Sequence, residues 1–179
     1  MDHNEILEAS KRTAMSRKDP TLPMKTSLKL GLPQSPALDW GSGRGVDTRH
    51  LQSLEHDVFG YDPNYQPEFP ETSNFQYGQC FYVLNAVPGE ENRVNILLEM
   101  KKYLKHGATV IIAARPLKEV ENAARKGKWT PCEDGWFSPK KTFQKGLSPE
   151  DLHRILQLAG FVNIVDHSNS RVTCAQATV

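Results

Sequence analysis

Four residues, Ala37-Leu38-Asp39-Trp40, read as a short buried strand that runs directly into Gly41-Ser42-Gly43-Arg44-Gly45 and then into a helix over about 46–54. No other stretch constrains the fold as tightly. Glycines let the backbone turn sharply and let a ligand approach without meeting a Cβ. A helix starting at such a turn offers free N–H groups to an anion. A glycine triplet alone is also compatible with a plain tight turn, but two carboxylates argue for more. Asp39 sits two residues before the first glycine, and Asp62 ends the next strand, 21 positions after Gly41. A carboxylate placed there can accept both hydroxyl hydrogens of a ribose.

The elements around this turn alternate. Residues 57–61 form a second strand and 79–84 a third. Pro88-Gly89-Glu90-Glu91 opens a helix to about 105, with Leu97, Leu98, Met100 and Leu104 at helical spacing and Gly107 in the usual terminating position. Thr109–Ala114 is a continuous β-branched and small apolar run, suited to a central parallel strand buried on both faces. Ser148-Pro149-Glu150-Asp151 starts a last helix that ends at Gly160. Residues 161–165 and 171–176 are the final strands, read as an antiparallel pair. The fold class is therefore α/β: a Rossmann-like, mostly parallel sheet with helices on both faces. The proline-interrupted residues 1–36 form a basic N-terminal arm, irregular apart from a short helical turn at 4–9. Residues 37–179 form a single domain.

A dinucleotide fingerprint requires G-x-G-x-x-G, and position 46 is Val46 rather than glycine. The pattern is instead G-x-G-x-G preceded by an acid. Here the chain resembles class I S-adenosylmethionine-dependent methyltransferases, over roughly residues 36–176. The resemblance implies that Asp39, Gly41, Ser42, Gly43, Arg44, Gly45, Asp62, Pro63 and Asn85 bind the cofactor, with S-adenosylhomocysteine as product. A narrower resemblance runs through Lys11-Arg12-Thr13-Ala14, Arg17, the 38–45 turn, Gly60-Tyr61-Asp62-Pro63, Tyr82–Val87, Asp134-Gly135 and Thr142–Lys145. These segments look like the methyltransferases associated with DNA phosphorothioation systems, which implies a link to nucleic acid. Only sixteen residues separate Asp62 from the strand at 79. That is too few for the helix and strand of the usual layout. The sheet is expected to be trimmed at its adenine-side edge, with Phe75 or Tyr77 of the 64–78 loop holding the adenine.

Methyl transfer asks mainly for alignment and exclusion of water. Tyr82 and Asn85 flank the end of the third strand, on the ligand edge of an open α/β sheet, and are the candidate catalytic residues. Asn85 could bond an exocyclic amine or simply cap a turn. The Asp-Pro-Pro-Tyr and Asn-Pro-Pro-Tyr motifs of amino-directed DNA methyltransferases do not occur. Residues 115–147 read as an irregular substrate or lid insertion in which Arg115, Trp129, Trp136, Phe143 and Lys145 would contact the acceptor. Packing of these aromatics into a small sub-core is the competing reading.

Charge supports the polyanion reading. Residues 10–36 carry +5 and residues 115–145 carry +4, against −4 over residues 37–114. Two basic flanks around an acidic centre suit DNA or RNA, or two merely solvated segments. Cys80, Cys132 and Cys174 form no C-x-x-C pair, and the six histidines show no ligand spacing, so neither a disulfide framework nor a metal is expected. No apolar run is long enough to span a bilayer and no export signal is evident, so a cytoplasmic location is expected. The function expected is methylation of nucleic acid from S-adenosylmethionine. The alternatives are a small-molecule or protein acceptor, a non-catalytic cofactor-binding accessory protein, or an enzyme that degrades the cofactor.

Overall fold

The computed structural model describes residues 11–14 and 16–179, so the helical turn expected at 4–9 lies outside the described residues. Helix α1 spans Leu22–Lys29. It is followed by β1 (Ala37–Trp40), α2 (Val46–Ser53), β2 (Val58–Tyr61), β3 (Phe75–Phe81), α3 (Glu90–Lys101) and β4 (Leu104–Ala114). Next come α4 (Leu117–Gly127), β5 (Thr130–Cys132), β6 (Gly135–Phe137), β7 (Phe143–Gln144) and α5 (Pro149–Leu158). Strands β8 (Val162–Asp166) and β9 (Thr173–Thr178) close the chain, and a 3-10 turn, Leu84–Ala86, follows β3.

The main sheet has six strands in the order β2-β1-β3-β4-β9-β8. The pairs β1–β2, β1–β3 and β3–β4 are parallel, whereas β4–β9 and β8–β9 are antiparallel. β2 forms the outer edge, and the chain goes from it to β3 without a helix or a further strand, as the short spacing predicts. Strand period separates two cores. Leu38, Cys80, Val110 and Ile112 face α3 and α5, where Leu97, Met100, Leu152, Ile155 and Leu156 are buried. Ala37, Tyr77, Phe81, Ile111 and Ala113 face the other way, with Met24 of α1 and Leu51 of α2.

Several boundaries differ from the sequence reading. The proline-rich arm contains α1, because Pro23 falls in its first turn, where a missing N–H costs nothing. The Thr21 hydroxyl accepts from Met24 N at 3.2 Å and donates to Asp47 Oδ2 at 2.8 Å, tying α1 to the first turn of α2. β3 begins at Phe75 rather than 79, and Gln79 is fully buried within it. Helix α3 stops at Lys101, and Gly107 (φ +80°) lies inside β4 beside a register shift opposite Phe75–Tyr77. The 115–147 segment is not irregular: it holds α4 and the antiparallel sheet β5-β6-β7. Ser148 is the N-cap of α5 as its sequence indicates, and it forms a reciprocal capping pair with Asp151.

Candidate functional site

The carboxyl ends of β1, β2, β3 and β4 open onto one cleft of about 1580 Å³. Its near wall is the glycine turn. Gly41 N and Ser42 N both donate to Tyr61 O, at 2.7 and 2.9 Å, so the turn is clamped to the end of β2. Gly41 has φ +78°, and a Cβ there would meet Val83 Cγ2 at 2.1 Å. Both backbone conformation and space therefore demand glycine. Gly43 and Gly45 also have positive φ, and Gly45 is the N-cap of α2.

Asp62 lines the cleft at the end of β2. Its Oδ2 accepts from Gly43 N at 3.0 Å, and its Oδ1 accepts from Asn64 N and Tyr65 N at 2.9 and 3.1 Å. Ser42, Gly43, Arg44 and Pro63 line the same wall, with the Arg44 guanidinium 5.0 Å from the centre of the Tyr65 ring. Beside them lies an aromatic group. Trp40 stacks on Tyr61 at 4.3 Å, and Tyr61 stacks on Phe69 at 4.6 Å. Phe69 is half exposed. The two aromatics expected to hold an adenine are elsewhere: Phe75 and Tyr77 are buried in the two cores, since both lie within β3 rather than in a loop.

Asp39 does not line the cleft. It is buried beneath the glycine turn and accepts from Thr48 Oγ1 at 2.6 Å, fixing α2 against β1. Burial raises its carboxyl from the ordinary 3.8 to about 6, against the opposing influence of Thr48 and Gln79. Gln79 Nε2 has no hydrogen-bond partner among the described residues. The folded chain holds this proton more tightly than the unfolded chain does. The stability it contributes is thus present below about pH 3.8 and lost as pH rises through about 6. Asp39→Asn is expected to change stability little near pH 4 and to raise it by roughly 1–3 kcal/mol near pH 8. Urea melts at the two pH values check this; an equal difference at both would refute it.

The far wall is built from the ends of β3 and β4 and from β7. Tyr82 has φ +61°, a strained conformation for a side chain of its size, and is held there by Tyr82 N donating to Ala113 O at 2.8 Å. Burial pushes its phenol up, while Arg17 acts in the opposite sense. Asn85 is buried, with both ends of its amide engaged: Nδ2 donates to Gln144 Oε1 at 3.3 Å, and Oδ1 accepts from Arg115 N at 3.3 Å. Arg115 donates from Nη1 to Gln144 Oε1 at 2.9 Å and pairs with Glu119. Asn85 and Arg115 therefore support one another and Gln144 at the cleft wall.

Of the five residues expected to touch an acceptor, Arg115 and Trp129 line the cleft, and Trp136, Phe143 and Lys145 do not. Phe143 packs edge-on against Phe137 at 5.8 Å, Trp136 pairs with Gln144 across β6 and β7, and Lys145 Nζ lies 4.0 Å from Asp134. Phe143 is buried there, whereas Trp136 and Lys145 are partly exposed. Five further cations line the cleft, Arg12, Arg17, Arg44, Lys140 and Arg171, and none forms an ion pair among the described residues. They come from the N-terminal arm, the glycine turn, the 115–147 segment and the β8–β9 connection, so the basic flanks meet at one opening. Sequence reasoning missed Gln144, Glu119, Phe69 and Arg171. Among the described residues no cluster of His, Cys, Asp or Glu could hold a metal, and Cys80 is buried with its thiol pushed far up. Nor is any helix among them long and apolar enough to cross a membrane.

No protein-family profile matches the chain. No curated protein matches it in sequence. Solved structures do match. A SAM-dependent methyltransferase from Methanosarcina mazei superposes with a TM-score of 0.63 at 16% identity, covering 84% of this chain and 96% of its own. A SAM-dependent methyltransferase from Bacteroides fragilis, in complex with S-adenosyl-L-homocysteine, gives 0.62 at 14% identity, covering 100% and 82%. The 1,6-didemethyltoxoflavin-N1-methyltransferase of Burkholderia thailandensis gives 0.60 at 17% identity, covering 96% and 78%. At such identities the likeness is one of architecture: the chain has the Rossmann-like fold of S-adenosylmethionine-dependent methyltransferases.

Proposed function

We propose that the chain is an S-adenosylmethionine-dependent methyltransferase acting on nucleic acid. The observation that carries the cofactor assignment is Asp62, facing the cleft at the end of β2 beside the clamped glycine turn. Each carboxylate oxygen accepts about two hydrogen bonds, so Oδ2, with one backbone donor, retains capacity for a ribose hydroxyl. Trp40, Tyr61 and Phe69 offer flat apolar faces to an adenine, and Arg17 and Arg44 offer charge to the methionyl carboxylate. S-adenosylmethionine supplies a methyl group already activated on a sulfonium. The protein's own work is then to orient the acceptor against the far wall and to keep water out. Tyr82 and Asn85 stand at that wall, Tyr82 directly on the cleft and Asn85 as the anchor of Gln144 and Arg115.

The nucleic-acid acceptor rests on the five cations around the opening that form no ion pair among the described residues, and it agrees with the motif resemblance to methyltransferases of DNA phosphorothioation systems. Neutralised phosphates release counterions, so binding to a single strand is expected to weaken with salt. If the three not assigned to the methionyl carboxylate, Arg12, Lys140 and Arg171, meet phosphates, log K should fall against log salt with a slope of about −2. Titration of oligonucleotides at several salt concentrations measures it. A flat dependence would favour a small-molecule acceptor, the kind named for the Burkholderia thailandensis enzyme. Activity itself is tested with methyl-labelled S-adenosylmethionine and separate pools of DNA, RNA, protein and metabolites. Transfer of label to none of them would refute methylation of these acceptors.

A further inference from the structure

The geometry points to Gln144 as the residue that selects the acceptor base, favouring one that presents a carbonyl oxygen over one that presents an amino group. This rests on the nucleic-acid reading of the cleft. Gln144 lines the cleft from β7 and is otherwise buried. An amide side chain can present either its oxygen or its nitrogen, and its selectivity depends on which end is fixed. Here the choice is forced. The Arg115 guanidinium can only donate, and its Nη1 lies 2.9 Å from one end of the Gln144 amide, so that end is the oxygen.

A second donor agrees. Asn85 Nδ2 approaches the same Oε1 at 3.3 Å, and its orientation is set in turn by Arg115 N, which donates to Asn85 Oδ1 at 3.3 Å. Glu119 holds the Arg115 guanidinium through both carboxylate oxygens, at 2.6 and 3.0 Å. Every member of the chain Glu119–Arg115–Gln144–Asn85 thus fixes its neighbour's polarity. Gln144 Oε1 is consumed by two donors. Its Nε2 forms no hydrogen bond among the described residues, and it is not among their buried unpartnered atoms. The amide therefore turns N–H groups toward the cleft.

A fixed donor matches a carbonyl oxygen and opposes an amino group. At ring position 4 uracil presents a carbonyl oxygen and cytosine an amino group. One hydrogen bond of ordinary net strength corresponds to roughly five-fold in affinity. The full chain, saturated with S-adenosylhomocysteine, is expected to bind a short oligouridylate about five-fold more tightly than the matching oligocytidylate. Fluorescence anisotropy of labelled oligonucleotides is the readout.

Gln144→Glu separates selection from structure. Glutamate accepts the same bonds from Arg115 and Asn85, so melting temperature and S-adenosylhomocysteine affinity should be kept. Its added charge repels both oligonucleotides equally and cancels in their ratio, whereas its cleft-facing atom is now an acceptor. The preference should reverse toward oligocytidylate. Gln144→Ala should bring the ratio near one, and it decides the matter if the glutamate variant fails to fold. A uridylate-to-cytidylate ratio that is the same in the parent and in whichever variant folds would overturn the inference while leaving nucleic-acid binding intact. If neither oligonucleotide binds at low salt, the nucleic-acid reading falls, and this selection falls with it.

Discussion

Asp62→Ala is expected to weaken S-adenosylmethionine binding by about ten- to a hundredfold. The carboxylate sits where the diol of a ribose would meet the end of β2, and its Oδ2 carries one backbone donor. A hydrogen bond to a charged acceptor is worth roughly 1.5–3 kcal/mol, and the one that Oδ2 can still accept corresponds to about ten- to a hundredfold in affinity. Alanine also removes the side-chain acceptor of Gly43 N and Asn64 N, while Tyr65 N keeps the backbone oxygen of residue 62 at 3.3 Å. These N–H groups lie at the cleft, where water can replace the lost acceptor, so the fold should survive. Asp62→Asn keeps an acceptor and loses the charge, and it should fall between parent and alanine. Calorimetry with S-adenosylmethionine measures all three. Unchanged affinity in the alanine variant, or tight NAD binding by the parent, would remove the cofactor assignment.

The glycine turn, β1, α2 and α5 were legible because each is specified by neighbouring residues. A strand broken by positive-φ glycines and a Ser-Pro-Glu-Asp helix start are local signals. Non-local satisfaction hid the rest. Gln76 and Gly78 disguise the start of β3, since neither favours a strand, although Phe75 and Tyr77 beside them are buried. Pro23 discouraged a helix that it in fact begins. β7 is two residues long, so it has no periodicity to detect, and Gln144 acquires its role only from Arg115 and Asn85, 29 and 59 positions away. Helix α4 did carry a signal, with Val120 and Ala124 four apart and both buried. It was obscured by the cations around it. Asp39 was read as a cofactor-binding residue, but sequence gives no way to tell a carboxylate facing ligand from one facing Thr48.

Asp134→Ala is expected to cost about 3 kcal/mol of stability, more than removing its partner Arg93 would. Arg93 is 2% exposed, so its guanidinium is a buried charge in the middle of α3. Its Nε donates to Leu84 O at 3.1 Å, and its two terminal nitrogens meet the Asp134 carboxylate. Asp134 Oδ2 also accepts from Gly89 N at 2.7 Å, and Lys145 Nζ lies 4.0 Å from Oδ1. One carboxylate thus joins the β5–β6 turn to the start of α3 and to the segment after β7. The two partners differ in exposure, since Asp134 is one-third accessible. Without Arg93, Asp134 keeps water, Gly89 and Lys145. Without Asp134, Arg93 keeps one carbonyl and an uncompensated charge. Arg93→Met should therefore cost only about 1–2 kcal/mol, the bond to Leu84 O included. The asymmetry has a consequence at the cleft. Lys145 N donates to Asn85 O at 2.7 Å, so a hairpin released by Asp134→Ala no longer braces the wall that holds Gln144. Urea melts rank the two variants, and hydrogen exchange over 130–145 should show loss of protection in Asp134→Ala first. Equal costs for the two substitutions would mean that the guanidinium reaches water on its own, and that the hairpin is held by its aromatic packing instead.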